Sequence, residues 1–417
     1  MSSMSNEPVR HRRVFYIPGY DPFPPRRYRE LYRREAVIQS DISGYDIAIK
    51  SGIDGGGFGW QVAAHIEDQP VRTDIEVLVW SDIVQNSRPE SVSATYWSLI
   101  KTVWIYISTG AFFRLMQLRK GPVIAALYPV LALLLQALFA TGLGWSTSRI
   151  VDRMTQEMLG TSTNVIWGAL LGIFLGIGVA VLSLRWFREK DRIFFAYYLM
   201  HDFAFAAAEK GAYPAALEHR LMEFRARVEA AMTSGVDEVL IVGHSSGAHL
   251  AVSLLSDLFP SDTATRFPGQ TISFLSLGHV VPMISFLPKA HRLRRDLLNV
   301  SQNRQIDWVD VSAPGDGGCF ALCDPVCVSG QSSARQSGPL VLSAAFSQTL
   351  SAERRKSLRW RFFRLHFQYL CAFDRPNDYD YFKITAGPLR LADRYKDRKS
   401  SPSKIDKTIS AFTSVTP

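Results

Sequence analysis

The sequence predicts an α/β fold in which a mostly parallel sheet is flanked by helices and interrupted by two transmembrane helices. Short apolar runs rich in β-branched residues, such as residues 239–242, are typical of buried parallel strands. Segments with apolar residues at helical spacing alternate with these runs. Two uncharged stretches, residues 121–148 and 158–184, are each long enough to cross a bilayer.

Length and charge limit the classes of protein to consider. The chain has 417 residues, enough for one large domain or two, and its net charge is +9. Arginines cluster beside the apolar stretches, which favours an anionic membrane surface as the partner of this charge. We expect no nucleic-acid partner, because no nucleic-acid-binding motif occurs. Residues 1–13 are polar and do not resemble a secretory signal peptide.

The elements of the first part follow from local patterns. A strand is predicted at residues 14–17 and an amphipathic helix at 26–38. Alternating residues then predict a hairpin, with a turn at Gly55-Gly56-Gly57. Its strands and the central strand that follows them are predicted at residues 45–50, 60–66 and 75–80.

The second part continues this alternation. Helices are predicted at residues 194–208, 215–232 and 290–299, and strands at 236–242, 271–277 and 306–311. Residues 362–369 fit either a last strand or a short helix. The polar residues 395–417 are predicted to be a disordered tail.

A membrane insertion separates the two parts. Residues 96–116 mix aromatic and basic residues and predict an interfacial helix, with a buried soluble helix as the alternative. Residues 121–184 then form the predicted transmembrane hairpin. The strands on either side should belong to one sheet, so an even number of crossings is required. Residues 1–120 and 185–394 are therefore predicted to form one domain.

The flanking charges predict the orientation of the hairpin. The loop between the two spans has only Arg149 and Arg153, offset by Asp152 and Glu157. Seven basic residues lie just before the first span or just after the second: Arg114, Arg119, Lys120, Arg185, Arg188, Lys190 and Arg192. This bias places both flanks, and hence the domain and both termini, in the cytoplasm.

A five-residue motif stands between the strand at 236–242 and the helix that follows. Gly243-His244-Ser245-Ser246-Gly247 is a G-x-S-x-G in a strand–turn–helix context. The alternative is a turn that only links strand and helix. With this motif, residues 12–95 and 190–390 resemble the α/β-hydrolase superfamily. The resemblance implies that Ser245 is a nucleophile and that the Ser246 N–H helps to form an oxyanion hole.

The same resemblance implies further site residues. Pro18-Gly19-Tyr20 is similar to the oxyanion loop of the superfamily, although Pro18 replaces its usual His. Gly19 and the Tyr20 N–H are the residues implied there, and an ordinary turn is the alternative.

The chain order nucleophile, acid, histidine favours Asp316 as the acid and His366 as the base. Asp310 and Asp324 remain alternative acids, and His279 remains an alternative base. A role for His366 as a buried structural histidine also stays open.

No cofactor or metal is predicted. Cys319, Cys323 and Cys327 are spaced four apart, but Pro325 breaks a shared helix and no zinc pattern matches. With Cys371, they are expected to be free thiols.

The expected activity is hydrolysis of a carboxylic ester or thioester through an acyl-Ser245 intermediate. Membrane anchorage favours an amphiphilic or lipid-derived substrate, and the bilayer is the other expected partner. An acyltransferase that uses the same serine is one alternative. A non-catalytic membrane scaffold is the other, because one fold hosts many functions.

Overall fold

A mixed eight-stranded sheet is the centre of the fold in a computed structural model. The structure describes residues 7–53, 57–89, 91–159, 165–260, 267, 269–359 and 361–417. The predicted turn at Gly55-Gly56 lies outside these residues. The strands are β1 (His11–Ile17), β2 (Asp46–Ser51), β3 (Gly59–Ile66), β4 (Gln69–Val77), β5 (Glu238–His244), β6 (Ile272–Leu277), β7 (Ile306–Ser312) and β8 (Leu340–Ser343).

The strand order is β2-β3-β4-β1-β5-β6-β7-β8. Strands β4, β1, β5, β6, β7 and β8 run parallel, and β3 is antiparallel to both of its neighbours. The predicted α/β fold with a mostly parallel sheet is therefore confirmed. Strand β8 was not predicted, because its four residues form too short an apolar run to stand out.

The chain reverses its direction of travel across the sheet at β1. From β1 it proceeds through β2 and β3 to β4 on one side, and later through β5 on the other. The carboxyl ends of β1 and β5 therefore border a crevice at a topological switch point. Open α/β sheets bind ligands at such points.

Helices cover both faces of the sheet. On one face, α1 and the C-terminal helices α17 and α18 pack on alternate residues of the strands, such as Val14 and Val242. On the other, α10 packs on β5 and β1. The helices are α1 (Arg26–Ser43), α2 (Ser81–Asn86), α3 (Val92–Ser108), α4 (Ala111–Leu118), α5 (Lys120–Leu159), α6 (Val165–Glu189), α7 (Asp191–Phe194), α8 (Ala196–Ala207), α9 (Ala215–Met232), α10 (Gly247–Leu258), α11 (Pro282–Ser285), α12 (His291–Gln302), α13 (Pro325–Val328), α14 (Phe346–Thr349), α15 (Ala352–Leu358), α16 (Phe362–His366), α17 (Tyr381–Ala386) and α18 (Leu391–Arg394), with a 3₁₀ turn at Gln368–Leu370.

The chain divides into two compact units. The sheet unit consists of Met1–Asn86, Tyr106–Val123 and Glu209–Pro417, and the helical unit of Ser87–Ile105 and Ile124–Ala208. The helical unit is larger than the predicted hairpin, because helices before and after it pack on α5. The buried residues of this packing are Leu99, Leu133, Ala196, Tyr197 and Met200.

Helices α5 and α6 are both long and apolar enough to span a membrane. They run antiparallel, since Gly144 lies against Gly176 and Ser148 lies against Gly172. A Cβ atom on Gly172 would be 2.6 Å from the Ser148 carbonyl oxygen, so only glycine permits this approach.

Residues 96–116 are predicted to form one interfacial helix, but the structure does not have a single helix there. The segment is divided between α3 and α4, which are separated at Thr109 and Gly110. Gly110 takes a left-handed conformation (φ 71°) and redirects the chain.

The prediction that residues 395–417 form a disordered tail is wrong. The Ile405 N–H donates to the Leu322 carbonyl (2.7 Å), and the Ile405 carbonyl accepts from the Asp324 N–H (2.8 Å). The Ser414 carbonyl accepts from Arg294 Nε (2.7 Å). The polar composition concealed this order, because the segment is held by backbone hydrogen bonds more than by apolar burial.

Candidate active site

Ser245 lies on the sharp turn between β5 and α10. Its φ of 56° is left-handed, a strained conformation for a residue with a side chain. The turn is tight enough that a Cβ atom on Gly247 would lie 2.1 Å from the Ile17 carbonyl oxygen. The sequence motif therefore folds as a strained strand-to-helix turn, at the carboxyl end of a strand beside the switch point.

The loop after β1 lies beside this serine. A Cβ atom placed on Gly19 would be 3.0 Å from Ser245 Cβ and 3.4 Å from Ser245 Oγ. Trp80 Nε1 donates a hydrogen bond to the Pro18 carbonyl (2.9 Å), which fixes the loop from the β4 side. The neighbouring Tyr20 is buried and packs its ring edge-on against Trp80.

Ser246 occupies the N-cap position of α10 and is buried. Backbone N–H groups at this end of a helix have no partner within the helix. The helix dipole also favours negative charge there. The structure thus brings Gly19, Tyr20 and Ser246 to the same region as Ser245.

Asp316 and His366 are paired. Asp316 follows β7 in the loop after Ser312, and His366 ends the short helix α16. His366 Nδ1 donates to Asp316 Oδ2 at 2.7 Å, with side-chain exposures of 13% and 1%. Burial would raise the pKa of Asp316, but His366 and the Gly318 N–H outweigh it and lower the pKa of that carboxyl. Asp316 is therefore ionised at neutral pH, and it fixes which nitrogen of His366 carries the proton.

His244 links the serine turn to this pair. Its ring packs against the His366 ring at a tilt of 38°, with 4.8 Å between centroids, and its Nε2 donates to the His366 carbonyl (3.0 Å). Burial, together with the nearby His366, lowers the pKa of His244 to about 3. His244 is therefore neutral, and it holds the backbone of the candidate base against the residue that precedes Ser245. As the second residue of the motif, it could have been singled out from the sequence.

Tyr369 is a second residue that sequence reasoning missed. Its hydroxyl donates to Asp316 Oδ2 (3.0 Å) and accepts from the Ala313 N–H (3.0 Å). The side chain is fully buried. Its position three residues after His366 was the only signal in the sequence, and that spacing has no meaning until the acid is known.

The alternative base is held in another environment. His279 is fully buried, donates from Nε2 to the Cys323 carbonyl (3.0 Å) and lies 3.9 Å from Asp310 Oδ2. Asp310 is also fully buried and accepts from the Ser276 hydroxyl (2.6 Å). Burial raises the pKa of Asp310 and so favours the protonated, neutral form of its carboxyl group.

The third candidate acid has a structural role. One oxygen of Asp324 accepts from the N–H groups of Val326 (3.0 Å) and Cys327 (3.1 Å). It therefore caps the short helix α13. Of the three candidate acids, only Asp316 contacts His366 among the described residues.

The cysteines make separate contacts. Cys319 Sγ lies 3.5 Å from the Tyr369 hydroxyl, whereas Cys327 Sγ lies 3.6 Å from Gln336 Oε1. Burial raises the pKa of all four thiols. In the described part of the chain, no group of three or more His, Cys, Asp or Glu residues is placed to hold a metal ion.

A comparison of the chain with protein-family models, with curated proteins and with solved structures finds no match to any of them.

Proposed function

We propose that this chain is a membrane-anchored serine hydrolase with an α/β-hydrolase fold, which cleaves a carboxylic ester or thioester. One observation carries the proposal: Ser245 has a strained backbone at the carboxyl end of the parallel strands, where His366 is paired with a buried, ionised Asp316. Strain of this kind persists where a side chain must be presented in one orientation. A histidine oriented by a carboxylate is the group that an alcohol nucleophile requires.

In the first half-reaction, Ser245 Oγ attacks the carbonyl carbon of the ester. His366 Nε2 accepts the proton of the hydroxyl, and Asp316 stabilises the imidazolium through Nδ1. The tetrahedral intermediate collapses, and the leaving alcohol or thiol takes the proton from His366. In the second half-reaction, water attacks the acyl-Ser245 with His366 again as base, and the carboxylic acid is released.

The negative charge of the tetrahedral intermediate needs donors that are already in position. The N–H of Ser246, at the start of α10, and the N–H of Tyr20, next to Gly19, are the proposed donors. A donor of this type contributes on the order of 10²–10³ in kcat.

Two features support membrane anchorage and a lipid-derived substrate. Helices α5 and α6 are long and apolar enough to span a bilayer, and many of their large apolar side chains are exposed. Leu138 is 70% exposed and Phe174 is 74% exposed, which suits lipid contact and does not suit water. We propose that the sheet unit and both termini are cytoplasmic, in agreement with the positive flanks.

The experiment that tests this function is labelling of the full chain in membranes with a fluorescent serine-directed phosphonate. Ser245→Ala should abolish labelling and lower ester turnover by about 10⁶-fold. Ser246→Ala is the matched control: it keeps its backbone N–H and should keep both labelling and most of the turnover.

Two results would contradict the proposal. Labelling that survives in Ser245→Ala and disappears in Ser246→Ala would show that Ser246, and not Ser245, is the nucleophile. If the wild-type chain, folded and in membranes, fails to react with the phosphonate, the scaffold alternative is correct. Transfer of the acyl group to an added alcohol in preference to water would favour the acyltransferase.

A further inference from the structure

A strongly basic segment precedes the candidate base. Residues 353–364 contain one acidic residue, Glu353, and six basic ones. They include most of α15 and most of α16. The basic residues are Arg354, Arg355, Lys356, Arg359, Arg361 and Arg364. The proposed chemistry uses none of these charges.

One arginine of this segment fixes it to the sheet unit. Arg354 lies 3.1 Å from Asp374 Oδ1 and 3.3 Å from Glu35 Oε2. The Ser351 hydroxyl accepts from the Arg354 N–H and caps α15. These contacts hold the start of α15 in place.

The other charges face solvent. Arg355, Lys356, Arg361 and Arg364 are exposed, and none forms an ion pair within the described residues. Phe362 lies among them and is 61% exposed. Phe362 is also one helical turn before His366 in α16. We call these five residues the basic surface.

The chemistry of the basic surface favours lipid over other polyanions. Positive charge alone would suit a nucleic acid or an acidic protein equally well. An exposed aromatic ring such as Phe362 among positive charges is typical of segments that lie in a membrane interface, where the ring enters the headgroup region. The same chain also has two helices of membrane-spanning length and composition.

We propose that the basic surface binds the headgroups of anionic phospholipids. Each positive charge near an anionic leaflet strengthens attachment by about fivefold, so four charges suffice for a strong preference. It follows, resting on the proposed hydrolase function, that His366 works next to a lipid surface and that the ester substrate is taken from that surface.

The test uses the full chain reconstituted in lipid nanodiscs, with an environment-sensitive fluorophore on Ser357→Cys. Ser357 is exposed between Lys356 and the connection to α16. Nitroxide-bearing lipid should quench the fluorophore strongly in discs with about one-third phosphatidylglycerol and weakly in phosphatidylcholine discs. Raising the ionic strength should weaken the quenching. Unlabelled wild-type protein treated with the same reagent measures the background from native cysteines.

A quadruple variant isolates the basic surface. Combining R355Q, K356Q, R361Q and R364Q should reduce quenching in anionic discs to the level of the zwitterionic discs. The matched control combines K50Q, K289Q, K396Q and K407Q, which removes the same charge from exposed positions elsewhere. This control should quench like the parent protein, and both variants should keep phosphonate labelling of Ser245.

Three outcomes would overturn the proposal: equal quenching in both disc types, an equal loss in the control variant, or unchanged quenching in the quadruple variant. If the quadruple variant instead loses binding of a single-stranded oligonucleotide or polyglutamate while quenching is unchanged, the surface serves that polyanion. The quenching readout does not require turnover. Failure of the hydrolase proposal would therefore appear separately, as absent phosphonate labelling.

Discussion

One oxygen of Asp316 accepts two hydrogen bonds, from His366 Nδ1 and from the Tyr369 hydroxyl. Burial raises the pKa of Tyr369 well above that of an ordinary phenol, and the charge of Asp316 adds to the effect. The phenol therefore stays protonated and remains a donor across the working pH range. We interpret Tyr369 as a positioning residue that holds the Asp316 carboxylate against His366.

Tyr369→Phe tests this role. Loss of one hydrogen bond to an ionised carboxylate should lower kcat/KM by about tenfold. The carboxylate that remains is less stabilised and holds the imidazolium proton more tightly. The acidic limb of the kcat/KM profile should therefore move to higher pH.

A loss of activity with an unmoved pH profile would show that Tyr369 only supports packing. Tyr379→Phe is a matched control, since that buried hydroxyl donates to the Tyr369 carbonyl and does not contact Asp316.

The relay itself makes a graded prediction. His366→Ala should lower turnover by about 10⁶-fold and Asp316→Asn by about 10⁴-fold, because the acid only orients the base. Adding either change to Ser245→Ala should cost little more. Steady-state hydrolysis of a short-chain ester, with folding checked by thermal unfolding, is the measurement.

His279→Ala provides the comparison for the relay. It removes a buried histidine that does not contact Asp316 among the described residues, so turnover per folded molecule should stay near the wild-type value. Normal turnover in His366→Ala would refute the assignment of the base. Normal turnover in Asp316→Asn alone would move the acid to Asp310 or Asp324.

At the scale of elements, the C-terminal segment restrains the loop that carries the candidate acid. Ile405 exchanges backbone hydrogen bonds with Leu322 and Asp324, a few residues after Asp316. Gln331 donates to the Thr413 carbonyl (2.7 Å), which ties the far end of the same loop. The tail thus has a structural role next to the site.

Deletion of residues 401–417 should therefore lower both the thermal unfolding temperature and the rate of phosphonate labelling. The reason is that the loop after β7 loses these backbone partners. Deletion of residues 415–417 is the control, because it keeps the Ser414 carbonyl that Arg294 binds. Unchanged labelling rate and stability in the longer deletion would show that the loop holds its own position.

At the scale of the whole molecule, the charge distribution predicts a topology. An impermeant maleimide should label a cysteine introduced at Thr161 or Ser162 from outside intact cells. These residues lie outside those the structure describes, so the expectation rests on the charge bias. A cysteine at the exposed Ser403 should react only after the cells are permeabilised, with wild-type protein as the background. Labelling of Ser403→Cys in intact cells would refute this orientation.

Much of this molecule is predictable where local patterns carry the information. The apolar strands, the G-x-S-x-G turn and the two span-length helices all depend on neighbouring residues. Chain order also led to Asp316 and His366, which the structure brings together. Tyr369 and the ordered tail could not be predicted, because each depends on contacts between residues far apart in sequence or on backbone hydrogen bonds that leave no compositional trace.

The pairing of β1 with β5 has a consequence for how the chain is made. Arg12 is in register with Glu238, and β4 fills only one edge of β1. Roughly 160 residues separate Val77, the last residue of β4, from Glu238, the first residue of β5. At the usual rate of translation, the second edge of β1 therefore stays unpaired for about ten to thirty seconds. An open strand edge is a template for pairing with other chains. Slower elongation lengthens this exposure, and aggregation of newly synthesised chains should rise with it.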